Sequence, residues 1–175
     1  MKATITFRNL NQEDYKLIHR WIKENPFVKK WYFFDRQPRL ETLRKKYEKK
    51  IKNEENVIYR IFQINGTDVG YIQGYDVEGN GFWTKRVKVR DKTASVDYFI
   101  GNMDFIHKGF GKKIISVFIN EFIKGKGFDF VMISPDPENG ASVRVCEKSG
   151  FSYVKTVGIP FENSKNKESV YLKKL

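Results

Sequence analysis

One cysteine and two histidines are all that 175 residues offer of thiolate and imidazole metal ligands. Cys146 alone cannot close an internal disulfide, and a single thiol outside any cluster of candidate ligands gives no metal-binding pattern, so no metal is expected. No apolar run is long enough to span a bilayer, and none near the N-terminus has signal-peptide length. A soluble, cytoplasmic protein with no membrane partner is therefore expected. The sequence also lacks internal repeats, linkers and breaks in composition, which leaves one domain over residues 1–175 as the expectation.

Aromatic residues make up 15% and hydrophobic residues 40% of the chain. A disordered chain would be short of both. A folded chain of this length buries about two-thirds or more of the surface that its unfolded form exposes. Thirty-three Lys and Arg against 21 Asp and Glu give a formal charge of +12, which favours an anionic partner such as nucleic acid, acidic lipid or a phosphorylated cofactor. The basic residues are scattered, as in Arg44-Lys45-Lys46 and Lys49-Lys50, on what reads as a solvated helix face. Nucleic acid is accordingly not the expected partner.

Alternating Ile5 and Phe7 predict a first strand, and Asn11 with Asp14 three residues on marks a helix start. Tyr15, Ile18 and Ile22 recur at helical spacing, widened by Leu17 and Trp21, until Pro26 ends the helix. Leu40, Leu43, Tyr47 and Ile51 form the stripe of a second helix. Val57 to Ile64 and Val69 to Tyr75 flank Asn65-Gly66, the turn pair that suits a tight hairpin. Asp76 to Thr93 reads as a loop rich in glycine and charge, and Ser95 to Ile100 as the next strand. A broad apolar face from Ile114 to Ile123 predicts a helix stopped by Gly125 and Gly127. Phe128 to Ile133, a short helix ending at Ser149-Gly150, and strands near Phe151 to Val157 and Ser169 to Leu172 complete a mixed α/β order with a parallel crossover.

Between the fourth strand and the long helix lies His107-Lys108-Gly109-Phe110-Gly111-Lys112-Lys113. Glycines let a ligand approach the backbone closely, and a helix start presents unpaired N–H groups with a partial positive charge, which together suit a pyrophosphate. A turn without a ligand gives the same pattern. A second block, Asn139-Gly140-Ala141-Ser142-Val143-Arg144-Val145-Cys146-Glu147-Lys148-Ser149-Gly150-Phe151, follows downstream.

The two blocks in this order resemble the acetyl-CoA-binding core of the GNAT acetyltransferases. The resemblance extends to the aminoglycoside 6'-N-acetyltransferases through Phe7-Arg8-Asn9-Leu10, Val28-Lys29-Lys30-Trp31, Gly70-Tyr71-Ile72-Gln73-Gly74-Tyr75 and Asp97. It implies a GNAT fold, a central, mixed and partly splayed β-sheet flanked by helices, and direct transfer of acetyl from acetyl-CoA to an amine. By that resemblance the backbone of Phe99, Ile100 and Gly101 pairs with the pantetheine arm, the loop from His107 through Lys113 holds the pyrophosphate, and Asn139 and Ser142 complete the cofactor site. Asp97 would accept or relay the proton of the ammonium. Trp31, Gln73, Tyr75, Trp83, Ser134 and Asp136 would line the acceptor wall, although Tyr75 and Trp83 could equally belong to the core, whereas Trp31, in a polar-flanked segment after Pro26, reads as pocket. The implied acceptor is a small amine, foremost an aminoglycoside, and the implied state is a monomer or weak dimer. Another small amine, a protein N-terminus or lysine, or a non-catalytic acyl-CoA or nucleic-acid-binding module remain as alternatives.

The pattern departs from the family at three places. Ile106 stands where the cofactor loop often opens with Gln or Arg. Cys146 stands where a tyrosine is proposed to protonate the departing thiolate. Asn80 and Ser134 stand at two acidic positions of the aminoglycoside wall, a loss for which Asp136 and Glu162 are candidate replacements.

Overall fold

The computed structural model describes residues 3–52, 57–78, 81–87, 92–159 and 166–175. The elements run β1 (Ile5–Asn9), α1 (Asp14–Glu24), α2 (Pro26–Phe33), α3 (Leu40–Lys52), β2 (Val57–Ile64), β3 (Thr67–Asp76), α4 (Gly81–Val87), β4 (Thr93–Ile100), α5 (Phe110–Phe118), β5 (Phe130–Ile133), α6 (Gly140–Lys148), β6 (Ser152–Gly158) and β7 (Lys167–Lys174). The seven strands form one mixed sheet in the order β1-β2-β3-β4-β5-β7-β6. The parallel register of β4 with β5 covers Thr93–Phe130 to Ser95–Met132, whereas β4 itself continues to Ile100. So short a register within an eight-residue strand is what a partly splayed sheet produces.

The chain divides into two compact units. One comprises Met1–Gln73 with Tyr98–Phe110, the other Gly74–Asp97 with Gly111–Leu175. In the first, β1 and β2 pair antiparallel from Ile5–Ile64 to Asn9–Arg60, and α1 packs on α2 and α3. Ile18, Trp21 and Ile22 of α1 join Leu43 and Tyr47 of α3 and Tyr71 of β3 in one buried cluster. The turn after β2 has Asn65 and Gly66 both at positive φ, 51° and 81°, the combination a type I′ hairpin turn needs.

Pro26 acts otherwise than its sequence context suggests. It ends α1 and also starts α2, a helix that the periodicity does not announce. Proline is favoured at a helix's first position because its missing N–H would have no partner there and its φ is already helical. Asn25 caps the new helix by accepting from the Phe27 and Val28 amides. At the other end of α1, Asn11 Oδ1 accepts from the Glu13 amide, and the buried Asp14 carboxylate accepts from the Asn11 amide. Arg8 grips both oxygens of Asp14 at 2.8 Å and also binds Asp68, so one guanidinium ties β1, α1 and β3 together.

In the second unit β5 pairs antiparallel with β7, and β7 with β6. The segment expected to be a loop between Asp76 and Thr93 contains the helix α4. Its Trp83 and Val87 are buried with Val77, Met132, Val157 and Val170, so packing supplies the helix that local sequence does not. The long helix also differs from expectation in form. Its last five residues, Ile119–Ile123, are a π-helical turn, and Lys124 then leaves the helix with its N–H bonded to the Ile119 carbonyl. Glycine at 74 keeps the β3 backbone close to this helix, because a Cβ there would lie 3.0–3.1 Å from Ile123 and Phe118. Among the described residues no helix is long and apolar enough to cross a membrane.

Candidate active site

Asn25 organises the end of β4. Fully buried, it donates from Nδ2 to the carbonyls of Ile100 and Gly101, each at 3.0 Å, while its Oδ1 caps α2. The Gly101 amide donates to the Val69 carbonyl at 2.8 Å, as does the Asn102 amide at 2.9 Å. Both polar backbone groups of Gly101 therefore have partners within this unit. The residue must also be glycine, since a Cβ would lie 2.2 Å from the Trp21 indole. Phe99 is buried against the same indole and stacks on Tyr71. The three residues expected to pair with pantetheine thus form a strand end held from two sides, with both backbone groups of Gly101 and the Ile100 carbonyl bonded within this unit.

The connection that follows makes a short 3-10 turn at Met103–Phe105, capped by the Asn102 side chain. His107 and Gly109 then take left-handed conformations, φ 58° and 78°, and α5 begins at Phe110. The first four amides of an α-helix have no acceptor within it, and here they belong to residues 110–113. His107, Lys108 and Gly109 are exposed, and the His107 ring meets Phe27 edge-on. A left-handed turn, a helix start and lysines at 108, 112 and 113 fit the polyanionic end of a nucleotide cofactor. Downstream, Asn139 Oδ1 accepts from the Ser142 amide and caps α6. This brings together two residues assigned to the cofactor and gives the Asn139 oxygen a structural role.

Of the residues expected to line the acceptor wall, Gln73 and Trp31 belong to the first unit. Gln73 lies against α3, where its Oε1 accepts from Lys50 Nζ at 2.7 Å and from the Tyr71 hydroxyl at 2.8 Å. Lys50 also donates to the Tyr71 hydroxyl and stands over the rings of Tyr59, Tyr71 and Tyr47 at 4.6–5.4 Å. Lys50 is therefore packed in an aromatic cage rather than standing on the solvated face its neighbours suggest. Trp31, on α2, is half-buried with the Lys30 ammonium 4.2 Å from its ring centre. Trp83 is 5% exposed and packed in the core of the second unit.

The second unit gathers the remaining polar residues. Ser134 donates from Oγ to Glu168 Oε2 at 2.7 Å. Burial pushes the Glu168 carboxyl up to about 7 against the opposing effect of that hydrogen bond, and the charges of Asp97 and Asp136 push it further in the same direction. Tyr75 is raised first by burial and then by the Asp97 charge, with Glu168 adding to it. The Ser95 hydroxyl is fully buried two residues before Asp97 on β4 and lies near the Tyr75 phenol, yet among the described residues closes no hydrogen bond of ordinary geometry. Asp97, Tyr75, Ser134 and Asp136 are therefore brought to one corner around Glu168. Asn80 and Glu162 lie outside the described residues. Among the described residues no three His, Cys, Asp or Glu side chains are placed to hold a metal ion.

Two residues of this arrangement are missed by sequence reasoning. Asn25 carries a local signal, an Asn-Pro pair that can be read as cap and first helical residue as well as a stop. Glu168 carries none, because one acidic residue in a terminal strand beside Lys167 is indistinguishable from surface. Cys146 is 1% exposed, and burial, with the Glu147 charge adding, pushes its thiol up to about 12. A thiol so placed is a small apolar filler of the core and a poor proton donor.

A family model described as an acetyltransferase (GNAT) domain matches residues 11–159. The aminoglycoside N(6')-acetyltransferase type 1 of Klebsiella pneumoniae is 24% identical over 159 residues, covering 90% of this chain and 78% of that protein. The crystal structure of aminoglycoside acetyltransferase AAC(6')-Ib with coenzyme A and kanamycin matches with a TM-score of 0.81 at 22% identity, over 98% of this chain and 95% of that one. Spermidine N-acetyltransferase from Vibrio cholerae, in complex with CoA and spermine, matches at a TM-score of 0.75 and 15% identity over 97% and 95% of the two chains.

Proposed function

Because the chain belongs to the GNAT acetyltransferase family, we propose that it moves an acetyl group from acetyl-CoA to the 6'-amino group of an aminoglycoside. Acetyl-CoA supplies the activated thioester. The amides of residues 110–113 and the nearby lysines hold its phosphates, and the strand end at Phe99 and Ile100 aligns its pantetheine arm. The observation that carries the choice of acceptor is the corner formed by Asp97, Asp136 and Glu168 in a chain whose formal charge is +12. Local carboxylates against a basic background attract a polycationic amine and orient its ammonium groups.

Asp97 binds the reacting ammonium, and Tyr75 presents the phenol beside it. The relatives support an aminoglycoside as the acceptor, since one such enzyme of this fold is held with kanamycin. A linear polyamine is the second reading, favoured by the same carboxylates and by the fold neighbour held with spermine. Release of coenzyme A from acetyl-CoA, followed with kanamycin, ribostamycin and spermine, separates the two. Turnover with the aminoglycosides at a kcat/KM above that of spermine supports the first reading, the reverse order supports the second, and flat traces throughout reject both. In the same assay Asp97→Asn lowers transfer while leaving acetyl-CoA affinity by calorimetry unchanged.

A further inference from the structure

Ser134 is no carboxylate, but its hydroxyl is bonded to one. We propose that Glu168, held by Ser134 beside Asp97, is a second catalytic residue of the acceptor site and takes the proton that the substrate ammonium must lose. The inference rests on the amine-acetylating reading given above and adds to it the group that receives the proton. Three features converge on this role. The Glu168 carboxylate is fixed by a 2.7 Å hydrogen bond from a residue of a different element. It shares its corner with Asp97 from β4, Asp136 from the segment after β5 and Tyr75 from β3. The Ser95 hydroxyl of the same corner is fully buried and lies near the Tyr75 phenol, closing no hydrogen bond of ordinary geometry among the described residues.

The division of labour follows from the charges. Asp97 and Asp136 each disfavour ionisation of Glu168, so an ammonium that enters the corner first meets negative charge and then a carboxylate with unusual affinity for a proton. A carboxyl near 7 is half ionised at neutral pH, the condition in which an acceptor of protons works best. In the step proposed, the ammonium gives one proton to Glu168, and the nitrogen lone pair so freed forms the C–N bond to the acetyl carbon as the C–S bond breaks. The second proton on nitrogen neutralises the thiolate, and Glu168 releases its own proton to water.

The test compares wild type, Glu168→Gln and Ser134→Ala using kanamycin and spermine as acceptors. For the wild type, kcat/KM should fall on the acid side of a pKa near 7. Glu168→Gln should lose that limb and about a hundredfold or more in kcat, with acetyl-CoA affinity by calorimetry retained and a melting temperature at neutral pH no lower than that of the wild type. Ser134→Ala should move the limb to higher pH, because the lost hydrogen bond favoured the ionised form; a merely structural role for Ser134 would not move it. A Glu168→Gln enzyme with wild-type kcat and an unchanged limb overturns the inference while leaving the amine-acetylating reading intact. Loss of the limb in Asp97→Asn alone overturns it in favour of Asp97. A wild-type protein that acetylates neither acceptor overturns both.

Discussion

Replacing Asn25 by alanine removes four hydrogen bonds at once. The cap on α2 is worth about 0.5–2 kcal/mol, and each of the buried carbonyls of Ile100 and Gly101 loses its side-chain donor at about 1–3 kcal/mol. Partial solvation of the space left behind lowers the sum, so a loss of about 3–5 kcal/mol is expected, a large part of the ~5–15 kcal/mol that holds a typical domain together. For a chain of this length that is a fall in melting temperature of roughly 6–20 °C. Urea unfolding followed by fluorescence measures it. Asn25→Asp sharpens the reasoning: it keeps the cap but sets a carboxylate against two carbonyl oxygens, so it should be at least as unstable as the alanine variant at neutral pH and recover in part once the carboxyl is protonated. Acetyl-CoA affinity should fall in both, since the strand end they loosen is the one proposed to align the cofactor. A loss below about 1 kcal/mol in Asn25→Ala would show that water replaces the side chain without cost and refute the reasoning.

Other substitutions test separate parts of the structure. Arg8→Met strands Asp14, which is 4% exposed and gripped by both guanidinium nitrogens, and should cost about 2–4 kcal/mol in denaturant unfolding, with Arg8→Met/Asp14→Asn recovering part of it. Cys146→Ala should keep kcat within about threefold, because a thiol pushed up to about 12 contributes little as a proton donor at neutral pH; a hundredfold loss would give the thiol a chemical role. Glu168 bears on stability as well. Its carboxyl is raised from 4.5 to about 7 in the folded state, so the native protein holds a proton that the unfolded chain has released, and stability falls as pH rises through that window. With discount for partial exposure the fall is about 1–3 kcal/mol, and chemical denaturation of Glu168→Gln across the same pH range should lack it.

Elements with a strong local signal are legible from residues alone. The Asn65-Gly66 turn, the apolar faces of α1, α3 and α5, and the Gly-rich connection before α5 each state their own geometry, and the observed elements follow them. The helices α2 and α4 do not, for opposite reasons. Asn25-Pro26 is ambiguous between stop and start, and only the two carbonyls at the end of β4 make Asn25 a bridge. Residues 81–87 have no clear period, and Trp83 becomes helical and buried through partners as distant as Val157 and Val170. The candidate site divides in the same way. Gly109 and Asn139 can be found because a left-handed turn and a helix cap constrain residue type, whereas Lys50 beneath Gln73 and Glu168 beneath Ser134 depend on pairings across 23 and 34 residues. No periodicity carries those pairings.

Acetyl transfer to an aminoglycoside is most directly tested by its product. Kanamycin incubated with the protein and acetyl-CoA should gain a single acetyl group by mass spectrometry, located by NMR on the 6'-amino nitrogen. Kanamycin, ribostamycin and spermine all recovered unmodified, from a protein that binds coenzyme A with measurable heat, would contradict it.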